Sequence, residues 1–511
     1  MIRKITYSIV TTVLLIILLG ACSTPNRPLY EPQNYNEARK ALVATDSAKR
    51  FSADVLLTPE ENILNEKLVA LRTRMKSRYD SLGFFPPSRP FHDYKTHVEQ
   101  TDLFKLFRNM PKGAIHHLHP TAGVDFKWLI DEVIRYPEGH VYWGGPSPEY
   151  IKGEIRFFGP EEIPSGFRSV SELSKSDDHF KEELFELLTL THETVVDSLD
   201  IWVEFQNVFE RIEGAYSYKP LFGDYVENVA QNLIDDNIMH METRMFFSPK
   251  YSIDASGRTV YFPIDTTLQV LKKTEKNIRN LHPGFTHKAI YTSLRFFSEE
   301  RISKELVAAY QLRKKYPEFI KGFDLVAEED KGNSTRYFKN SWDTRDSLQK
   351  VYGVDMPLYL HDGESNSQTI ENLYDAVLLD SKRIGHGFNL MNFPEVIKLV
   401  KQKDICIEVS PLSNQILGYV KDLRLHPASL MLRHGVQCSI SSDDPAIFGY
   451  AGLSYDYWYA TMAWELDLRD IKKLVFNSLT YSTLDEIEKQ EALVALLKSW
   501  EQFVAYGNKF L

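Results

Sequence analysis

Four short segments, far apart in the chain, carry side chains that could share one metal ion. They are His117-Leu118-His119, His361-Asp362-Gly363-Glu364, Arg383-Ile384-Gly385-His386-Gly387 and Ser442-Asp443-Asp444-Pro445. Three imidazoles and a carboxylate suit a zinc-like ion. A glutamate placed three residues after a histidine can act as general acid or base beside an activated water. The chemistry these residues describe is hydrolysis.

His117 and His119 stand two apart on a predicted strand, so their side chains share one face. His361 ends the fifth predicted strand and Asp443 the eighth, which completes a set of three imidazoles and one carboxylate. Glu364 follows in a turn loosened by Gly363. His386, between two glycines, is placed to hold the attacking water or its developing charge. Asp444 is expected to bond substrate rather than share the ion with Asp443, because successive strand residues point apart.

These side chains need a scaffold that brings several strand ends together. Residues 114–119, 238–247, 286–297, 319–326, 357–361, 383–386, 405–409 and 437–442 read as strands, and amphipathic runs such as 370–379 and 394–400 fill seven of the eight intervals. Eight strands alternating with helices predict an α/β fold, a parallel (β/α)8 barrel of the TIM type with its chemistry at the C-terminal strand ends. The interval at about 136–198 is longer than one helix needs. Its Gly-Pro turns and its strand formers Tyr142, Trp143, Phe157 and Phe158 predict an inserted subdomain, either over the barrel mouth or as a decoration without a ligand.

Ahead of the barrel, residues 35–82 are helical in pattern, with Ile63, Leu64, Leu68, Leu71 and Met75 recurring every three or four positions after Pro59. Pro86, Pro87 and Pro90 end the run. This appendage is expected to pack on the barrel or on a second subunit. The organisation is a signal segment at 1–22, a tether and helical region at 23–100, and the barrel at 101–511.

The signal segment has Arg3 and Lys4, an apolar run at 10–19, and Leu19-Gly20-Ala21-Cys22. A basic start and a short apolar run before small residues are the signature of export. The cysteine resembles that of a bacterial lipobox, which implies that Cys22 becomes a lipidated N-terminus anchored to an envelope membrane. A plain signal peptide or an uncleaved anchor is the other reading. Cleavage removes two cations, so the formal net charge of −10 becomes −12. An acidic chain is a poor partner for nucleic-acid phosphates, and small solutes are the expected ligands. The chain also lacks the Pro-Cys-x-x-Cys of deaminases that act on single-stranded nucleic acid. Cys406 and Cys438 lie in apolar strand-like runs and are expected to be buried free thiols.

The chain resembles the adenosine deaminase branch of the amidohydrolase superfamily, and most closely its secreted growth-factor-related group. The resemblance runs from about residue 57 to the end. It is carried by Phe85-Pro86-Pro87, Met110-Pro111-Lys112-Gly113-Ala114, Gly322-Phe323-Asp324-Leu325-Val326, Ser413-Asn414-Gln415, Ser441-Ser442-Asp443-Asp444-Pro445 and Gly452-Leu453-Ser454-Tyr455-Asp456. It implies that His117, His119, His361 and Asp443 hold one Zn2+. By the same resemblance Glu364 protonates purine N1 as water attacks C6, His386 positions that water, and Asp444 accepts a hydrogen bond at N7. Trp202 matches an aromatic that overhangs the nucleoside, or else is only helix core. The helical appendage resembles a dimerisation element.

The implied reaction converts adenosine or 2′-deoxyadenosine to inosine or 2′-deoxyinosine and ammonia, outside the cytoplasm, for purine salvage. Several positions depart from the family pattern. Pro120 replaces the aspartate that helps hold the ribose, and Ala327 replaces the glycine whose backbone faces the purine. Glu328, Asp362 and His116 are departures as well. They keep open a deaminase of another aminopurine or a modified nucleoside, and a non-catalytic binding protein is the third reading.

Overall fold

The computed structural model describes residues 34–190 and 200–511, so Cys22 lies outside the described residues. The eight expected strands are all present and parallel to their neighbours. The first four, Gly113–Leu118, Ile238–Met245, Thr286–Leu294 and Ile320–Val326, pair in that order. The last four, His361–Asp362, Arg383–His386, Cys406–Val409 and Cys438–Ile440, form a second run. Parallel bridges at Phe323–Leu358 and Leu118–Asp443 join the two runs and close the barrel. The second bridge brings Asp443 beside the first strand, with His119 N donating to Asp443 O at 3.1 Å and Asp443 N donating to His117 O at 3.2 Å. Barrel closure itself therefore joins two of the motif segments.

The strands are buried on both faces, as parallel strands covered by helices must be. His116 shows what that demands of a polar side chain. It points away from the barrel axis, with Nδ1 3.0 Å from Ser439 Oγ and Nε2 against the Ser478 carbonyl. Burial holds its pKa down at about 3. It is a neutral, hydrogen-bonded core histidine.

The appendage opens with the helix Tyr35–Ser47, which buries no residue and leaves Leu42 and Val43 exposed. The helix Pro59–Leu82 starts on a capping box between Thr58 and Glu61. The Glu61 carboxylate is buried and accepts from Lys472 Nζ and Trp500 Nε1, each at 2.6 Å, which stitches this helix to the last two helices of the barrel. Among the described residues, no helix is long and apolar enough to cross a membrane.

Within the long interval after the first strand, Gly139–Tyr142 pairs antiparallel with Ile155–Phe157 and with Phe167–Ser169, and two short helices follow. Leu190 N then donates to Ile447 O at 2.8 Å, which joins the end of the insertion to the loop beyond Asp443 and Asp444. A hairpin of Lys250–Ile253 and Thr259–Phe262 was not expected from the strand and helix pattern. Its signal is the turn at Asp254-Ala255-Ser256-Gly257, with Gly257 at a φ of 77°.

Candidate metal centre

Asp443 is where the motif segments converge. Its Oδ1 lies 3.2 Å from His117 Nε2 and 3.4 Å from His119 Nε2, and its Oδ2 lies 3.9 Å from His386 Nε2. The rings of His117 and His361 are 4.1 Å apart between centroids. His117, His361, His386 and Asp443 offer donor atoms that all lie within 4.8 Å of one another, and so do His119, Asp443 and Asp444. Gly385 makes this crowding feasible. A Cβ there would stand 3.0 Å from His117 Cε1, tighter than the neighbouring ring tolerates.

The donor set fits a dication. His117 Nε2 and His361 Nε2 are buried and have no hydrogen-bond partner of good geometry, while both Nδ1 atoms are occupied. Glu408 Oε2 accepts from His117 Nδ1 at 3.0 Å, and Asp324 Oδ2 accepts from His361 Nδ1 at 2.6 Å. A carboxylate on Nδ1 turns the Nε2 lone pair outward and makes it more basic, the usual support behind a metal-binding histidine. Burial holds His361 down at about 3, so its ring is neutral and able to bind metal.

Of these two supporting carboxylates, Asp324 stood in a quoted motif without a role, and Glu408 was not singled out. Arg244 bridges them, with Nε donating to Asp324 at 2.8 Å and Nη2 donating to Glu408. Arg383 donates to Glu408 and Glu242 on the other side. Burial alone would raise Asp324, but His361 and Arg244 hold it at about 2; Arg244 and Arg383 likewise keep Glu408 well below the carboxylate range. A signal was available. Asp324 and Glu408 are carboxylates inside largely apolar strand runs, and such residues are almost never buried unpaired. Arg244→Met is expected to lower metal affinity about 10–100-fold. It also leaves two buried carboxylates short of a partner, a loss of about 3–5 kcal/mol of stability. Metal titration and thermal melts check both, and a variant that binds metal as wild type does would disprove the support.

Glu364 lies beyond His361 on a turn in which Gly363 has a φ of 85°. Its Oε1 is 3.5 Å from His386 Nδ1. Burial, then repulsion from Asp443 and Glu329, pushes its carboxyl well above the usual range, with Arg295 opposing. The shift favours the protonated form, the one that can serve as a general acid. Glu329 accepts from Gly363 N at 3.0 Å and fixes that turn. The amide of Asn414 lies 3.3 Å from His386 Nδ1 and sets that ring's orientation.

Asp444 requires two corrections. Its carboxyl does not point away from Asp443, because the strand has ended at Ile440 and Asp443 has a φ of 66°, so two-residue alternation no longer applies. Burial and the neighbouring Asp443 push the Asp444 carboxyl well above its ordinary range. A bond to N7 of a purine has to run from Asp444, since that nitrogen carries no hydrogen to give.

Trp202 sits in the first turn of the helix Ile201–Ser217, buried against Phe205 and 6.4 Å from Tyr419 between ring centroids. Ala327, just beyond the fourth strand, has a φ of 93°. That is backbone glycine adopts readily and alanine does not. Ala327→Gly is expected to raise stability by about 0.5–1 kcal/mol, the relieved strain exceeding the added chain entropy. An unchanged or lowered melting temperature would show that the position is unstrained.

A closed parallel barrel that gathers imidazoles and carboxylates at its C-terminal strand ends is a metal-dependent hydrolase of the deaminase kind. The family profile for adenosine deaminase matches residues 173–499, and that for the adenosine/AMP deaminase N-terminal region matches 13–107. Human adenosine deaminase 2 is 34% identical over 490 residues, covering 92% of this chain and 93% of that protein. Adenosine deaminase 2 of Dictyostelium discoideum is 30% identical, covering 92% of this chain and 87% of its own. The chain belongs to the adenosine deaminase family. Solved structures share the fold at lower identity. Adenine deaminase of Arthrobacter aurescens has a TM-score of 0.53 at 18% identity, covering 77% of this chain and 99% of its own. An amidohydrolase from Burkholderia ambifaria, solved with bound Zn, has a TM-score of 0.54 at 14% identity, covering 80% and 95%.

Proposed function

We propose that this chain is a zinc-dependent deaminase of adenosine and 2′-deoxyadenosine. The observation that carries the reading is the buried Glu364 carboxyl, its pKa pushed up by burial, set 3.5 Å from His386 at the edge of the His117–His361–Asp443 cluster. In this reading His117, His119, His361 and Asp443 hold the ion. Zinc bound there supplies the Lewis acidity that makes a water nucleophilic at neutral pH. His386 holds that water against C6 and takes up its proton as the C–O bond forms. Glu364 gives its proton to N1, so the ring accepts the electron pair without building full negative charge. Asp444 donates to N7, and the Ala327 backbone lies along the purine. As the C6–N bond breaks, His386 returns its proton to the amine, the C6 hydroxyl gives its proton to Glu364, ammonia leaves, and inosine remains.

The lipobox-like Cys22 and the acidic chain support an envelope-anchored enzyme that salvages nucleosides outside the cytoplasm, with no nucleic-acid partner. The exposed Leu42 and Val43 of the first helix support a homodimer built on the appendage. Incubating purified, metal-analysed protein with adenosine and following inosine by mass spectrometry tests the proposal. Turnover of free adenine or a modified nucleoside, but not of adenosine, would overturn it in favour of the second reading. Pro120, buried and without a side-chain donor beside the site, is the observation that favours this alternative.

A further inference from the structure

One phenol beside the site has no role in the chemistry above. Tyr419 lies in the loop after the helix Pro411–Ile416. Its ring packs on Phe388, two residues beyond His386, at 5.8 Å between centroids, and faces Trp202 at 6.4 Å. The hydroxyl oxygen is buried without a hydrogen bond of good geometry, the Trp202 indole lying beside it in poor alignment. Burial, and after it the charges of Glu364, Asp330 and Glu329, push this phenol far up, so it keeps its proton. The contact with Phe388 sets this ring close to the His386 segment.

A buried hydroxyl with no partner costs about 1–3 kcal/mol, and phenylalanine would fill the same space without that cost. A partner that arrives with the substrate removes the penalty. The polar atoms of a purine nucleoside are already divided: N1 faces Glu364, N7 faces Asp444 and the amine leaves. The sugar hydroxyls and N3 remain. After His119, the buried Pro120 offers the sugar no side-chain polar atom. On the opposite rim, Glu328 is paired with Lys331 at 3.2 Å, and Lys331 also pairs with Asp200, so those charges are engaged with one another. The Tyr419 hydroxyl, packed between Trp202 and Phe388, is a buried donor with nothing of good geometry to bond.

Building on the nucleoside deaminase reading, we propose that the Tyr419 hydroxyl hydrogen-bonds the sugar of the bound nucleoside and determines which sugar is accepted. It is a specificity-determining group, distinct from the residues that move protons. Tyr419→Phe keeps both ring contacts and removes only the oxygen. For adenosine, KM is expected to rise about 5–10-fold, the worth of one such bond. The loss falls on binding common to ground and transition states, so kcat stays within about twofold. The melting temperature stays level or rises, because an unpaired buried group has been removed.

A panel of 2′-, 3′- and 5′-deoxyadenosine locates the contact. Wild type should discriminate against one of them by about the same 5–10-fold, and the variant should not. An equal loss on adenosine and on all three analogues would place the bond on the base and overturn the sugar assignment. Wild-type turnover with an indistinguishable variant would remove the Tyr419 proposal and leave the deaminase reading standing. A wild-type protein that neither deaminates adenosine nor binds purine riboside in calorimetry would overturn the deaminase reading, and this proposal with it.

Discussion

Glu364→Gln is expected to lower kcat on adenosine by about 10²–10⁴-fold, the span that a positioned proton donor contributes. The amide matches the carboxyl in shape, and its NH2 can still donate a hydrogen bond toward N1, but it cannot give up a proton. The substitution also removes an ionisable group from a pocket crowded with carboxylates, so the fold and the bound metal should be retained, with KM little changed. Metal analysis beside the kinetics separates the effects. If the purified variant holds its metal and still deaminates adenosine at the wild-type rate, Glu364 is not the acid and the mechanism fails.

His361→Ala should have the second large effect, through the metal. The ring is held by Nδ1 donating to Asp324 Oδ2 at 2.6 Å, and the His361 backbone N donates to the other oxygen, Oδ1, at 2.9 Å. Removing it deletes one donor atom and leaves Asp324 with Arg244 and the backbone N–H of residue 361. The variant is expected to purify without stoichiometric metal and to have no activity above background. An ion bound only by the folded state stabilises it by about 4 kcal/mol at a thousandfold excess over its Kd, and the variant should lose that increment. Wild-type protein stripped by a chelator should therefore melt at the lower temperature of the variant, and zinc should restore only the wild type. A variant with full metal content would remove His361 from the ligand set.

How much of this was legible beforehand follows from what local sequence encodes. Strand and helix periods are local, so the eight strands and their order could be read, along with the placement of His117, His361, His386 and Asp443 at strand ends. The hairpin after the second strand was missed because an eight-residue pairing interrupts an interval otherwise filled by a helix. Asp444 lies beside Asp443 rather than opposite it because strand alternation ends at Ile440 and Asp443 is left-handed. His116 looked like a departure of unknown meaning until the Ser439 hydroxyl and the Ser478 carbonyl were seen to satisfy it.

By itself the sequence determined the donor types, their strand-end positions, the barrel class and the kinship that names the chemistry. Those properties depend on residue identity and on spacing along one chain. The tertiary structure alone decided that Arg244 ties Asp324 to Glu408 behind two imidazoles, and that Tyr419 meets Trp202 and Phe388 beside Glu364. These partners lie on different strands and loops, brought together only when the first and eighth strands meet at Leu118 and Asp443. A contact across a closed barrel has no period in the sequence, because closure depends on every strand between them.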